Sequence, residues 1–201
     1  MSYNSIDIVH PNAFWFLENL DYIDLSNNSI QELPLSFSTT YLDTAILSNN
    51  QLSLVSDIHS SYIDVSHNYL NSIQSLRGSS INGSYNTIMS MNYLEVYNIK
   101  ELNLDHNDIS EISDSIGFYQ NLVSLNIGNN QLQELPVALA ILDSLVYLSL
   151  DSNYLYCLDG EQSILAIPDF LLDGSIETVD GLFYQLCEQV GIDENQLFPI
   201  Q

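Results

Sequence analysis

The stretch Leu122–Pro136, LVSLNIGNNQLQELP, limits most strongly what this chain can fold into. Leu122, Leu125 and Ile127 occupy the positions that point inward from a short strand, and Asn130 follows three positions later. Further leucines then resume the apolar pattern. The same phase recurs along the chain around a set of asparagines: Asn28, Asn50, Asn68, Asn86, Asn107, Asn130 and Asn153.

The recurrence predicts one supersecondary unit, stacked about seven times over residues 20–158. A unit of this size cannot bury its apolar face alone, so neighbouring units must share one core. Each side chain that becomes fully buried there contributes roughly 1.5–3 kcal/mol. Because an asparagine amide both donates and accepts hydrogen bonds, we expect the asparagines to form a buried structural ladder. The ladder would satisfy the backbone where the chain leaves each strand.

This pattern over residues 20–158 resembles the leucine-rich repeat family, in its short bacterial or intracellular form without cysteine-rich caps. The resemblance implies an α/β fold, a leucine-rich repeat solenoid curved like a horseshoe, with a parallel β-sheet on its concave face. Short helical, 3₁₀ or extended segments would line the convex face. ISEISDSIGFYQNL and LQELPVALAILDSL, in the late repeats, are apolar at helical spacing and predict helical turns. The two repeats of 18 residues, from Asn50 to Asn68 and from Asn68 to Asn86, have no room for a comparable helix.

Residues 1–19 are expected to form an N-terminal cap, because the first rung of a solenoid would otherwise expose its apolar face. Ile6 and Ile8 alternate as in a strand. The segment PNAFWFLENL, with a proline near its start, predicts a short helix. That helix would bury three side chains: Phe14, Trp15 and Leu17.

Residues 159–201 contain acidic side chains but no lysine or arginine, and we expect them to form an acidic C-terminal cap. An amphipathic helix is predicted near residues 179–190, where apolar side chains fall at helical spacing. Cys157 and Cys187 are the only cysteines, and the sequence leaves open whether they form a disulfide.

The charge of the chain is strongly unbalanced. It contains 26 acidic residues and only two cations, Arg77 and Lys100, so its formal net charge is −24. Phosphate backbones and anionic lipids need clusters of lysine or arginine, so neither nucleic acid nor a membrane surface is an expected partner. A basic protein is the expected partner, because the negative field would speed its association.

In the horseshoe that the resemblance implies, the residues between the leucines of each strand face outward on the concave side. These positions hold hydroxyls, amides, acids and tyrosines but no lysine or arginine. Tyrosine gives large contact area at low entropic cost. We therefore predict that the tyrosines and acids of this face bind the partner: Tyr22, Asp24, Tyr62, Asp64, Glu101, Asp105, Tyr147 and Asp151.

The sequence predicts no catalytic residue, no metal site and no cofactor. His67 and His106 both stand directly before a ladder asparagine, but two repeats apart, so roughly 10 Å separates them. That distance is too long for one metal ion, and both are expected to be solvated. Phosphate-binding loops and nucleophile motifs are also absent from the sequence.

These observations favour a non-enzymatic recognition module that binds a basic partner protein through its concave face. One interpretation is an inhibitor or immunity-type protein that masks a basic enzyme or toxin. The alternative is a secreted effector scaffold that assembles host proteins. No secretory signal and no long apolar stretch is visible, so we expect a cytoplasmic protein that is monomeric when free. A third interpretation, mimicry of nucleic acid, would need regular rows of acids, which the scattered acids do not form.

Overall fold

The computed structural model describes residues 2–37, 41–55, 57–91 and 98–155. Its strands are short, and all lie parallel in one sheet. They are β1 (Tyr22–Asp24), β2 (Tyr41–Ile46), β3 (Ile58–Asp64), β4 (Leu76–Arg77), β5 (Ser80–Asn82), β6 (Glu101–Asn103), β7 (Ser124–Asn126) and β8 (Tyr147–Ser149). The order across the sheet is β1-β2-β3-β5-β6-β7-β8, and β4 pairs with the start of β3. The predicted solenoid with a parallel sheet is confirmed.

We number the rungs of the solenoid one to seven by their ladder asparagines, so that β4 and β5 both belong to rung four. The next-to-last residue of every strand except β4 points into the core, which runs the length of the sheet. These inward residues are aligned by the strand register: Ile23, Ala45, Ile63, Ile81, Leu102, Leu125 and Leu148.

Rung four has the least side-chain volume, because Gly78 and Gly83 stand where other rungs carry larger residues. A Cβ atom on Gly78 would lie 2.8 Å from the carbonyl oxygen of Ser60 and 3.1 Å from Cδ1 of Ile63. The backbones of rungs three and four therefore approach each other too closely for any side chain at this position.

The asparagine ladder joins each rung to the one before it. Asn68 shows the pattern: its Nδ2 donates to the carbonyl oxygens of Leu47, Val65 and Ser66, each at 3.1 Å. Its Oδ1 accepts from the backbone N–H of Leu52 at 2.9 Å. One amide thus satisfies backbone groups of its own rung and of the preceding rung, in a place that water does not reach.

The same set of bonds is found at the other ladder asparagines from Asn50 to Asn153. Asn28 forms the start of the ladder and accepts from the N–H of Ile6 at 3.0 Å. Asn28 and Asn153 are half-buried at the two ends, whereas the asparagines between them are buried.

The residue before each ladder asparagine has a left-handed backbone, which turns the chain away from the strand. These residues, with φ between 49° and 56°, are Asn27, Asn49, His67, Tyr85, His106, Asn129 and Ser152. The left-handed region is costly for residues other than glycine and, to a lesser degree, asparagine and aspartate. We call these positions the turn column.

The segments that return from one strand to the next are 3₁₀ helices in the late rungs. Asp114–Phe118 and Val137–Ile141 occupy the two stretches predicted to be helical turns, and Leu35–Phe37 is a shorter 3₁₀ helix in rung one. The described residues of the two 18-residue repeats contain no helix, as expected. The hydroxyl of Ser113 caps the first of the late helices by accepting from the N–H of Ser115 at 3.3 Å.

The helix predicted for PNAFWFLENL is wrong, because residues 11–16 form successive turns. Phe14 is buried and packs edge-on against Phe37, with ring centroids 5.2 Å apart. Trp15 and Leu17, predicted to be buried, are 64% and 44% exposed. The apolar spacing is helical, but the backbone hydrogen bonds here join residues three positions apart instead of four, and of these three side chains only Phe14 reaches the core.

The strand-like alternation of Ile6 and Ile8 is also wrong, since Ile8 is exposed and neither residue is in a strand. Instead Ile6 takes the place that Ile30 has one rung later. Its N–H donates to Asn28 Oδ1 at 3.0 Å, just as the N–H of Ile30 donates to Asn50 Oδ1 at 3.0 Å. The start of the chain therefore has the backbone geometry of the second half of a repeat.

The expected C-terminal cap, residues 159–201, its helix near 179–190 and both cysteines lie outside the described residues. Within the part of the chain that is described, no helix is long and apolar enough to cross a membrane.

Replacement of Asn68 by alanine would leave the buried N–H of Leu52 without its partner. The carbonyl groups of Leu47, Val65 and Ser66 would each lose one of two donors. We expect Asn68→Ala to lower the free energy of unfolding by about 2–4 kcal/mol, since the orphaned N–H costs about 1–3 kcal/mol and three further hydrogen bonds are lost. Urea denaturation measures the change. Asn71→Ala, three residues away and exposed, is the matched control. Equal losses in the two variants would show that the ladder does not hold the rungs.

Candidate interaction face

The outward side chains of the sheet form the face predicted to bind a partner, which we call the concave face. Its first column runs straight across the sheet, because the strand register aligns one residue from each rung: Tyr22, Thr44, Tyr62, Ser80, Glu101, Ser124 and Tyr147. The tyrosines and Glu101 in this column are exposed. The predicted partner-binding acids further along the strands are half-buried: Asp24, Asp64, Asp105 and Asp151.

The structure brings the central members of the predicted set together and leaves the outer members apart. Tyr62 and Glu101 lie on either side of Ser80, whose hydroxyl donates to Glu101 Oε2 at 2.8 Å. Tyr22 and Tyr147 lie on the first and last strands, separated from this group by Thr44 and Ser124. Rungs three to five therefore hold the densest group of predicted residues.

Tyr62 is the aromatic centre of this group and is 37% exposed. Its partial burial raises the pKa of the phenol above the ordinary value of 10.0, and the negative charges of Asp64 and Glu101 raise the pKa further. Tyr62 therefore stays protonated at neutral pH and presents a hydrogen-bond donor between two carboxylates.

Asp64, two residues after Tyr62 in β3, also has a structural role that the sequence analysis did not predict. Asp64 Oδ1 accepts from the backbone N–H of Ser66 at 3.0 Å and from its hydroxyl at 2.7 Å. The same oxygen accepts from Asn82 Nδ2 at 3.2 Å, across to the next rung. Asp64 thus closes a turn at the end of its strand as well as carrying charge on the concave face.

The side-chain oxygen of residue i thus accepts from the backbone N–H of residue i+2, an arrangement that we call the bracket. The bracket repeats along the strand ends. The pairs that make it are Asp24–Ser26, Asp64–Ser66, Asn82–Ser84, Asn103–Asp105 and Asn126–Gly128. The signal was present in the sequence as an aspartate or asparagine two residues before a serine, aspartate or glycine. Both residues of each pair belong to columns predicted to face outward, but Ser26, Ser66 and Ser84 are buried.

Asp105 is held by side chains of two rungs. Its Oδ1 accepts from Asn129 Nδ2 at 3.0 Å, and its Oδ2 lies 2.8 Å from Nδ1 of His106. A Cβ atom on Gly128 would lie 3.0 Å from Asp105 Oδ1, so the glycine leaves room for the carboxylate. Asp105 therefore has a fixed position where the concave face meets the turn column.

His67, Tyr85 and His106 form a group that we call the ring stack. The ring centroids of His67 and Tyr85 are 4.2 Å apart with planes at 10°, and those of Tyr85 and His106 are 4.2 Å apart with planes at 16°. The two histidines are thus exposed, but each also stacks on a tyrosine. The sequence analysis compared the two histidines only with each other. Tyr85 occupies the same position in the repeat between them, and this residue is what indicates a stack.

The described residues contain no group of three or more histidine, cysteine or acidic side chains arranged to hold a metal ion. The contacts on the concave face are those of a surface with fixed hydroxyl, amide and carboxylate groups around exposed tyrosine rings. Such a surface is suited to contact with another protein.

A family model described as "Leucine rich repeat" matches residues 97–155, and a second, "Leucine Rich Repeat", matches residues 19–40. No curated protein matches the chain in sequence.

Several solved structures are similar to the chain. The leucine-rich repeat domain of APL1B has a TM-score of 0.70 at 21% identity, over 82% of this chain and 51% of that one. A leucine-rich repeat protein of Leptospira interrogans has a TM-score of 0.56 at 20% identity, over 76% and 48%. An internalin of Listeria monocytogenes has a TM-score of 0.56 at 21% identity, over 72% and 44%. The chain spans about half the length of these structures.

The parallel rungs, the asparagine ladder and these matches define a solenoid built from short repeats. The chain contains leucine-rich repeats, which family models match over residues 19–40 and 97–155. Proteins of this family are generally non-enzymatic scaffolds that bind other proteins.

The Asp24–Ser26 bracket makes stability depend on pH. The Ser26 hydroxyl, which donates to Asp24 at 2.7 Å, is the main cause that holds the pKa of Asp24 below its ordinary value of 3.8. A lowered folded-state pKa stabilises the fold above the unfolded pKa, and this contribution is lost as the pH falls through the folded pKa. We expect Ser26→Ala to destabilise the protein at pH 7 and much less at pH 2.5. Urea denaturation at both pH values checks this; Ser5→Ala is the exposed control, and a loss independent of pH would contradict the expectation.

Proposed function

We propose that the protein is a non-enzymatic recognition module that binds a basic partner protein through its concave face. The observation that carries this proposal is a sheet face with exposed tyrosines and carboxylates but without lysine or arginine in its outward columns. Both cations of the chain lie at one edge of the sheet: Arg77, 3.5 Å from Asp57, pairs with His59 near the start of β3, and Lys100 directly precedes β6.

The centre of this interface is the group around Tyr62, Ser80 and Glu101. Ser80 is smaller than its neighbours Tyr62 and Glu101 in the column, its hydroxyl donates to the Glu101 carboxylate, and Asp64 adds a second carboxylate. A lysine or arginine side chain of the partner could lie over Ser80, with its charge near both carboxylates and its stem against the Tyr62 ring. Interfaces commonly draw most of their affinity from a few such residues.

The net charge of −24 supports a basic partner independently of the site geometry. A strongly negative field raises the rate at which positively charged proteins encounter the face, and the effect falls steeply as salt increases. A small acidic protein of this kind fits an inhibitor or immunity-type role, in which the concave face covers a basic enzyme or toxin.

Capture from a native lysate at low and high salt, followed by measurement with the purified binder, tests the proposal. We expect binders with a basic isoelectric point. We also expect Glu101→Gln and Tyr62→Ala each to weaken binding by about tenfold or more, which corresponds to about 1.4 kcal/mol.

Glu134→Gln removes the same charge from an exposed position outside the concave face and is the matched control. It should leave affinity nearly unchanged. Binders that are not basic, or a loss as large for Glu134→Gln as for Glu101→Gln, would contradict the proposed interface.

A further inference from the structure

The ring stack occupies backbone positions that favour other residues. His67, Tyr85 and His106 have φ values of 53°, 54° and 53°, in the left-handed region. Rungs one, two and six place asparagine at the same slot, and asparagine adopts this conformation more readily than histidine or tyrosine. Three consecutive rungs therefore accept backbone strain that asparagine would reduce.

Burial of the rings in the core does not offset this strain. Tyr85 is 43% exposed, and the side chain of His106 is 41% exposed. The rings lie at the carboxyl-terminal ends of β3, β5 and β6, the same rungs that carry Tyr62 and Glu101. The ring stack is thus an exposed edge that continues the centre of the concave face.

One carboxylate links the stack to that face. Asp105 Oδ2 lies 2.8 Å from Nδ1 of His106, while Asn129 holds the other oxygen. When His106 is neutral, the charge of Asp105 is available to a cation of the partner. When His106 is protonated, its own charge compensates Asp105 at hydrogen-bond distance.

The charged groups around the stack are few. Its own rungs present Asp64, Asp105, Asp108 and the Tyr85 phenol, and the flanking rungs present the neutral amides of Asn49 and Asn129 in the same column. Both cations of the chain lie at the opposite edge of the sheet, where Arg77 pairs with His59 near the start of β3 and Lys100 directly precedes β6. The charge at this edge is therefore set by these carboxylates and two histidines.

Resting on the proposed function, we propose that the ring stack and Asp105 form an edge of the interface that contacts a basic side chain of the partner. This contact weakens in acid, where histidine as a residue type gains charge. Histidine side chains charge between about pH 8 and 5, whereas carboxylates as a class keep their charge over most of that range. The edge thus changes from negative towards neutral, and a basic partner is released.

The asparagines of rungs one, two and six supply a substitution that the backbone accepts. The test compares the double variant His67→Asn/His106→Asn with the double variant His10→Asn/His59→Asn, which removes the other two histidines. The probe is a synthetic octapeptide of alternating arginine and glycine, titrated by calorimetry at constant ionic strength at pH 7.5 and 5.5.

We expect the unmodified protein and His10→Asn/His59→Asn to bind the peptide about fivefold or more weakly at pH 5.5 than at pH 7.5, the ratio expected if two nearby charges change. His67→Asn/His106→Asn should bind with nearly the same affinity at both pH values. A pH ratio retained in that variant, or lost in His10→Asn/His59→Asn, overturns the inference.

A second readout locates the contact in the unmodified protein. At pH 7.5, addition of the peptide should shift the imidazole C–H resonances of His67 and His106 and leave those of His10 and His59 in place. Binding that Glu101→Gln weakens but that moves neither ring-stack histidine overturns this inference and supports the proposed function. Absence of any binding at pH 7.5 overturns both.

Discussion

The buried asparagine amide is the interaction on which the rest of this structure depends. Asn68 donates to the preceding rung through Leu47 and to its own rung through Val65 and Ser66, and it accepts from Leu52. A backbone that leaves a strand inside a protein would otherwise hold unsatisfied carbonyl and N–H groups. Because one side chain meets these needs across two rungs, each new repeat is placed in the same register as the last. The straight columns of the concave face follow from that register.

The bonds that hold the rungs also shape the surface. The carboxylate of Asp64 brackets Ser66 and reaches Asn82, so a charge on the concave face is fixed by the turn beneath it. Asp105 is fixed in a comparable way by Asn129 and His106. Side chains held in place before a partner arrives lose little entropy when it binds. A repeat whose structural positions are nearly uniform can thus present a rigid and locally distinct face.

Much of the fold could be predicted because the same pattern of apolar residues and asparagine occurs in seven repeats. Leu125 and Asn130, for example, are interpretable through their counterparts in every other rung. The N-terminal turns could not be predicted in this way, since Trp15 belongs to a segment without counterparts in the other repeats. No second copy of the segment was present to show that its helical spacing is misleading. In the candidate site, the columns followed from the register. The ring stack did not, because stacking of Tyr85 on two histidines depends on the angle that the left-handed turn gives to neighbouring side chains.

Hydrogen–deuterium exchange of single backbone amides tests the central claim, that the ladder amides hold the rungs together, most directly. The N–H groups of Leu52 and Leu70 donate to ladder asparagines and are predicted to exchange only when the whole solenoid unfolds. The amides of Ser53 and Asn71, which follow them in the chain on exposed residues, should exchange by local opening and therefore orders of magnitude faster. Equal protection of the two sets would contradict the account, since the hydrogen bonds to the ladder would then give the amides of Leu52 and Leu70 no more protection than the amides of exposed residues have.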